Sequence, residues 1–549
     1  MSIYAAISRK LKLPEVRVAK VKCRRSEPVK MPDGTVLLTD HWTPVGVDSP
    51  PVMLIRTPYG RRMINLLVAR YFAHQGFRVL VQACRGTDGS QGTFDDPFVA
   101  EIEDGKAMVD WLIGQPWYPG SFVAFGDSYI GYAALAVASA AGDHLSAAVL
   151  RVAPSSLHDM LWADGSHSLG SAFGWALLAD VDPTLGLKAV MRERRNAPKI
   201  VRTALKAPFS ESYRELSGRP IGFYDGWLAH ESNDDGWWDR GEIADLLDTV
   251  KAPVLVQTGW YDLFLEDCGR QFNRLRSRGS RVELTIGPWT HGEVLSAGLG
   301  QTITEATTFL RDITGMEPAA APRAAVRLVE IGSDSPVELD AWPPVPTDSL
   351  TLHVHADGRL RDQPDATPEA ASTTYRYDPA DPTPSFGGAT NASKGAGAAD
   401  NGALEARSDV IAFTSEPLKV DTHLLGAPTV SLRFDSDREQ TALFVRLCVV
   451  APDGTSTNFT DRLNILRKSD RDAAGGWDVA VTLPPTCIAI PAGSAIRLQL
   501  SSGAFPRFMR HPGTTVSSTV ATEFLVATQT VRHDAAHPAA VTLPLGAGA

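Results

Sequence analysis

Cysteine is scarce in this chain. Five residues in 549, at Cys23, Cys84, Cys268, Cys448 and Cys487, form no CxxC pair and stand far apart. That excludes a disulfide framework and a structural zinc site, and makes reduced thiols in the cytoplasm the expectation. Long hydrophobic runs are missing too. The run Ala133–Ala141 is far too short to span a bilayer, and "MSIYAAISRKLKLPEVRVAK" at the start has no apolar core of signal-peptide length. A cytoplasmic location and no membrane partner follow as expectations. Positive charge is in deficit: 53 Lys and Arg against 63 Asp and Glu give a net charge of −10, which argues against nucleic acid as a partner. The glycine-rich "RGTDGSQG" (85–92) lacks the GK[ST] ending of a phosphate loop and reads as a turn. His353 and His355 share a strand face but have no third ligand, so no metal is expected. No internal repeat is present.

What remains is an ordinary globular composition, 44% hydrophobic and 21% charged, in a chain long enough for two to four domains. Residues 34–60 alternate like strands. "NLLVARYFAHQG" then has helical spacing and stops at Gly76, "FRVLVQAC" reads as a buried strand, and "AEIEDGKAMVDWLIGQPW" as an amphipathic helix. "SFVAF", the small-residue helix "YAALAVASAA" and the strand "LSAAVLRVA" follow. "APVLVQTGWYD" and "VELTIGPWTH" are two further strands with a helix between them. This alternation predicts a mostly parallel, doubly wound sheet covered on both faces. Residues 155–246 break the rhythm with helix formers, Trp and His, and read as a helical cap over the carboxyl edge of the sheet. From about 319 the pattern turns to short alternating strands such as "LTLHVHADG" and "QTALFVRLCVVAPDG", the signature of an antiparallel sandwich or jelly roll. The expected parts are residues 1–154 and 247–318 as one α/β domain, 155–246 as its cap, and 319–549 as an all-β domain with a long Pro/Ala/Gly-rich loop at 362–409.

"GDSYIG" (126–131) puts a serine between a strand and a helix with glycine on both sides. Such a turn exposes a nucleophilic hydroxyl in some hydrolases, and merely turns a corner in many other α/β proteins. A serine needs a base to take its proton and a carboxylate to hold that base. On this kind of sheet the chain order is Ser, acid, His, each just past a strand end. Ser128, Asp262 in "GWYD" and His291 in "GPWTH" meet that order. Asp262 competes with Glu266 and Asp267 in "DLFLED", which read as solvated or N-terminal positions of the next helix. Asp127 is expected to point away from the site.

"GDSYIGY", "GWYDLF", "GPWTHG" and "RTPYG" together resemble the CocE/NonD group, the cocaine esterase and X-prolyl dipeptidyl peptidase type of serine hydrolase. "LAHESNDDGWWDR", "SDVIAFTSEPL", "DGTSTNFTDRLNILR" and "SSGAFPRFMRHPGT" extend the likeness over nearly the whole chain. The resemblance implies an α/β-hydrolase domain with an inserted helical cap and a C-terminal jelly roll, and a cofactor-independent Ser128–Asp262–His291 triad. It also implies an oxyanion hole built from the Tyr129 N–H and the Tyr59 hydroxyl, with Phe264 lining the acyl pocket. His158, Trp162 and His167, at the start of the insertion, read as pocket walls, with ordinary cap packing as the alternative. The expected substrate is a small-molecule ester or amide. An Xaa-Pro dipeptidyl peptidase or acylase with the same triad is the alternative, and a non-catalytic glycan- or partner-binding protein a distant one. A homodimer is compatible with the large β-domain.

Overall fold

The computed structural model describes residues 9–62, 64–181, 187–317, 323–333, 336–365, 371–391 and 395–546. The first eight residues of the N-terminal segment, and 366–370 and 392–394 within the 362–409 loop, lie outside the described residues.

Among the described residues, ten strands form the first sheet. They are β1 (Val21–Lys30), β2 (Val36–Pro44), β3 (Val52–Thr57), β4 (Arg78–Ala83), β5 (Phe122–Asp127), β6 (Leu145–Arg151), β7 (Val254–Tyr261), β8 (Val282–Thr290), β9 (Val326–Val329) and β10 (Pro336–Leu339), in the spatial order β1-β2-β4-β3-β5-β6-β7-β8-β9-β10. From β4 through β9 every pairing is parallel, while β1, β2 and β10 join antiparallel at the two edges. Parallel strands need crossovers, and helices supply them: α1 (Ile64–His74), α2 (Val99–Ile113) and α3 (Tyr129–Ala140) among them. The central strands are buried on both faces; every residue of β3 and β7 is buried. Such strands read as continuous apolar runs rather than as alternation.

The segment between β6 and β7 is helical: α4 (Leu157–Leu161), α5 (Leu169–Val181), α6 (Leu187–Ala204) and α7 (Gly222–Ala229), with short turns between. It begins at the carboxyl end of β6 and forms the cap. After β7 comes α8 (Leu265–Ser277), and α9 (Leu299–Ile313) follows β8. Among the described residues, thirteen strands between Asp348 and Leu545 form the C-terminal jelly roll. Its core is built from alternate residues of paired strands: Leu443, Val445 and Leu447 pack with Leu498, Leu500 and Phe413.

Two readings of the sequence need correction. Val326–Val329 belongs to the α/β sheet and not to the β-domain, because Leu284 pairs in parallel with Val326 and Ile286 with Leu328. A strand's pattern shows which of its faces is apolar, but not which sheet it joins. The 362–409 segment is not a structureless loop either. It holds a strand, Ser372–Tyr377, paired to Ala527–Arg532, and a helical turn at Gly402–Glu405.

Candidate active site

Ser128 stands between β5 and α3 with φ 54° and ψ −126°, left-handed backbone that a serine adopts only under constraint. The constraint is visible. A Cβ at Gly126 would lie 2.1 Å from the Ile130 carbonyl oxygen, and one at Gly131 would lie 2.5 Å from Ala153 Cβ. Only glycine lets strand and helix approach so closely. The Ser128 N–H donates to the Arg151 carbonyl at 2.9 Å, and the Ser128 carbonyl accepts from Tyr132 N–H at 3.0 Å. Asp127 points to the Arg151 guanidinium, 3.9 Å away; burial raises its carboxyl above the ordinary value, against the pull of Arg151 and His291.

Asp262 follows the end of β7 and His291 the end of β8. Thr290 caps the turn His291–Val294 reciprocally with Glu293: the Glu293 N–H donates to Thr290 Oγ1 at 3.3 Å, and Thr290 N–H to Glu293 Oε2 at 2.9 Å. The buried Arg151 ties down the end of that turn by donating to the Val294 carbonyl at 2.9 Å. So held, His291 Nδ1 lies 2.8 Å from Asp262 Oδ1 and Nε2 lies 3.0 Å from Ser128 Oγ. A carboxylate at Nδ1 fixes the ring proton there, which leaves the Nε2 lone pair facing the serine hydroxyl. Thr258 donates to the second Asp262 oxygen at 2.7 Å. Asp262 is 2% exposed and His291 8%, so the pair is sheltered from water.

The rival carboxylates are engaged elsewhere. Asp267, read from the sequence as solvated or N-terminal, is buried. It accepts from Ser155 N–H at 2.5 Å and Ser155 Oγ at 2.7 Å, where the cap begins. Glu266 pairs with Arg462 of the β-domain at 2.5 Å, and Arg462 also holds Asp164 of the cap at 2.6 Å.

Tyr59 lies just past β3. Asn65 Nδ2 braces its loop by donating to Thr57 Oγ1 at 3.0 Å and to the Gly60 carbonyl at 2.8 Å. The Tyr59 hydroxyl accepts from Trp175 Nε1 at 3.0 Å. Tyr129 is anchored by its side chain: its hydroxyl accepts from Phe98 N–H at 2.9 Å and donates to Glu101 at 3.1 Å. Glu101 in turn pairs with the fully buried Arg56 at 2.7 Å. Burial raises the Tyr129 phenol well above its ordinary value, so it remains a neutral hydrogen-bonding group.

Ser128, His291, Tyr59 and Tyr129 open on one cavity of about 440 Å³. Its walls are Phe98, Met160, Leu161, Trp175, Trp227, Leu263, Phe264 and Asn391, with Pro154, Ser171 and Ala172. Phe264 lines this cavity and stands edge-on to the His291 ring at 5.4 Å. Trp162 and His158 do not line the cavity. Trp162 is buried behind the wall and donates to the Trp227 carbonyl at 3.0 Å, and packs on His167 at 5.0 Å. His158 bonds the Glu231 carbonyl at 2.9 Å and meets the Trp238 ring edge-on. A polar tip on each finds a backbone partner within the cap, which turns both away from the cavity. Among the wall residues that sequence reasoning missed are Phe98, Trp175, Trp227 and Asn391. Phe98 carries φ 73°, strain that no sequence pattern announces. Trp175 and Trp227 had one signal, tryptophan within the cap insertion. Asn391 comes from the β-domain segment read as a loop.

A second cavity, of about 820 Å³, adjoins the first and shares Met160, Ser171 and Leu263 with it. Charged side chains reach its walls, Asp159, Asp164, Glu266, Asp461 and Arg507, among apolar ones such as Trp260, Leu265, Phe459 and Phe508. Among the described residues no group of three or more His, Cys, Asp or Glu side chains could hold a metal ion, all five cysteines are free thiols, and no helix is long and apolar enough to cross a membrane.

A serine on a strained strand–helix turn, a histidine and a carboxylate past later strands of one parallel sheet, and a cap over that edge define a serine hydrolase of the α/β-hydrolase class. Two family models match the chain: X-Pro dipeptidyl-peptidase (S15 family) over residues 33–293, and the X-Pro dipeptidyl-peptidase C-terminal non-catalytic domain over 319–542. Cocaine esterase of Rhodococcus sp. (strain MB1 Bresler) is 26% identical over 572 residues, spanning 94% of this chain and 97% of that protein. The chain belongs to the CocE/NonD family of serine hydrolases. Two solved structures share its fold from end to end: an α-amino acid ester hydrolase (TM-score 0.80, 19% identity, 97% of this chain and 98% of that one) and an aminopeptidase from a marine sediment Thaumarchaeota archaeon (TM-score 0.78, 21% identity, 96% and 97%).

Proposed function

We propose that this enzyme hydrolyses carboxylic esters with a compact apolar or aromatic acyl group, through an acyl–Ser128 intermediate. The observation that carries the reading is the hydrogen-bonded series Asp262–His291–Ser128, opening on an aromatic-walled cavity with no carboxylate in its lining. His291 Nε2 takes the Ser128 proton as Oγ attacks the ester carbon, and Asp262 stabilises the imidazolium so formed. The Tyr129 N–H and the Tyr59 hydroxyl hold the developing oxyanion, each contributing about 3 kcal/mol to the transition state. As the tetrahedral species collapses, His291 returns the proton to the departing alcohol. A water molecule then gives its proton to His291 while its oxygen attacks the acyl carbon, and Ser128 recovers the proton as the acid leaves. The adjoining cavity offers room for the alcohol portion, while Phe98, Trp175, Trp227 and Phe264 embrace the acyl portion.

A peptidase that requires a free substrate amine needs a carboxylate to pair with it. Asp267 is occupied by Ser155, and the carboxylates of the adjoining cavity are paired, Glu266 and Asp164 with Arg462, Asp461 with Arg446 and Arg507, and Asp159 with Arg270, which favours the ester reading over an Xaa-Pro dipeptidyl peptidase. The test compares p-nitrophenyl acetate, butyrate and benzoate with Gly-Pro-p-nitroanilide. The expected kcat/KM for the best ester exceeds that for the anilide by about a hundredfold or more, the penalty for leaving an ammonium unpaired in a buried site. The opposite ranking would overturn the ester reading and restore the peptidase.

A further inference from the structure

Trp175 is mounted on α5 of the cap, yet it touches both residues assigned to the oxyanion hole. Its indole N–H donates to the Tyr59 hydroxyl at 3.0 Å, and its ring lies stacked on the Tyr129 ring, centroids 5.9 Å apart and planes inclined by 13°. Trp227 of α7 also stacks on the Trp175 ring, with centroids 5.8 Å apart. A phenol oxygen that accepts one hydrogen bond becomes a better donor through its own proton. No described residue accepts that proton from Tyr59, and the hydroxyl lines the cavity beside Ser128. Burial raises the Tyr59 phenol, and the Trp175 bond is what pulls it back down.

We infer that Trp175 is a positioning residue for the oxyanion hole: its indole N–H fixes and polarises the Tyr59 hydroxyl, so that the hole is completed only when the cap is docked. The inference rests on the role proposed for Tyr59 above. It gives the cap a part in the chemical step besides shaping the pocket, because moving α5 away would remove the relay from Trp175 through Tyr59 to the oxyanion.

The test is a double-mutant cycle. Trp175→Phe keeps an aromatic ring beside Tyr129 and removes the N–H together with part of the indole surface, a packing loss that the cycle cancels because it is common to both backgrounds. With a p-nitrophenyl ester it is expected to lower kcat about tenfold, the worth of one hydrogen bond that strengthens in the transition state, with KM within about twofold of wild type. In the Tyr59→Phe background the same substitution is expected to change kcat by less than about twofold, because the relay has already been cut. An equal loss in both backgrounds would make Trp175 a packing residue and overturn the inference, as would no loss in the wild-type background. Tyr59→Phe turning over like wild type would instead remove the oxyanion role of Tyr59, so the two failures are distinguishable. If Tyr59→Phe is too slow for kcat, the affinity of the four proteins for phenylboronic acid, which forms a tetrahedral adduct on the serine, gives the same comparison. Equal thermal midpoints for wild type and Trp175→Phe establish that the cap is still folded.

Discussion

The carboxyl edge of the sheet and the cap that covers it meet at one cavity, but they are built on different rules. At the sheet edge each residue assigned to the proposed chemistry follows a strand end: Tyr59 after β3, Ser128 after β5, Asp262 after β7 and His291 after β8. Their backbones are pinned by neighbours in the same layer, through glycines at 126 and 131, the Thr290–Glu293 cap and Arg151. The cap contributes no reacting atom. It contributes surface, as Met160, Leu161, Trp175 and Trp227, held in place by aromatic stacking and by indole N–H bonds. The division implies that substitutions at the edge stop the chemistry, and that substitutions in the cap, Trp175 with its bond to Tyr59 apart, change which acyl groups are handled.

The sharpest way to break that division is to remove the base. His291→Ala is expected to lower kcat about 10⁶-fold for every ester tested, since a nucleophile without its base retains only the binding and oxyanion contributions. Loss of only tenfold, measured by steady-state turnover, would mean that another group activates Ser128. A cap substitution should behave differently. Trp227→Ala is expected to reduce kcat/KM for p-nitrophenyl benzoate about tenfold or more while sparing the acetate, because the lost aromatic contact, worth about 1 kcal/mol or more, matters only to an acyl group that reaches it. Equal losses on both esters would place Trp227 in the cap's stability rather than in acyl selection.

A third effect concerns acid stability rather than turnover and also separates the parts. His167 of the cap and His511 of the β-domain are buried, and burial pushes their rings down to about 3 and about 4. Unfolded, each titrates near 6.5. Their neutral burial therefore contributes stability fully above about pH 6.5, and that contribution is lost as pH falls toward the folded values, at about 1.4 kcal/mol per pH unit for each ring. Thermal midpoints measured from pH 7 to pH 5 should fall, and His167→Gln should flatten the slope. An unchanged slope in that variant would show that His167 does not carry the effect.

The same contrast decides what the amino-acid sequence made legible. Ser128, Asp262 and His291 could be placed because three residue types recur in a fixed order at strand ends, and strands of buried parallel sheets stand out as apolar runs. Tyr59 and Tyr129 came only with the family resemblance, since a tyrosine after a strand has no pattern of its own. The cavity walls stayed hidden because Phe98, Trp175, Trp227 and Asn391 are remote in sequence and meet only in the folded chain. Trp162 was a misleading tryptophan: same segment, same chemistry, but its N–H is spent on the Trp227 carbonyl. At the fold level β1 went unread because "VKCRRSEPVK" is an exposed edge strand with no apolar period. β9 went to the wrong sheet because pairing is a long-range property.

The central claim is that Ser128 is activated where it stands. Intact mass after treatment with a fluorophosphonate, on wild type and on Ser128→Ala, tests it most directly. The account predicts one phosphonyl adduct on the wild-type chain and none on the alanine variant. A folded wild-type protein that takes no adduct, or an alanine variant that is labelled as fully as wild type, would contradict it.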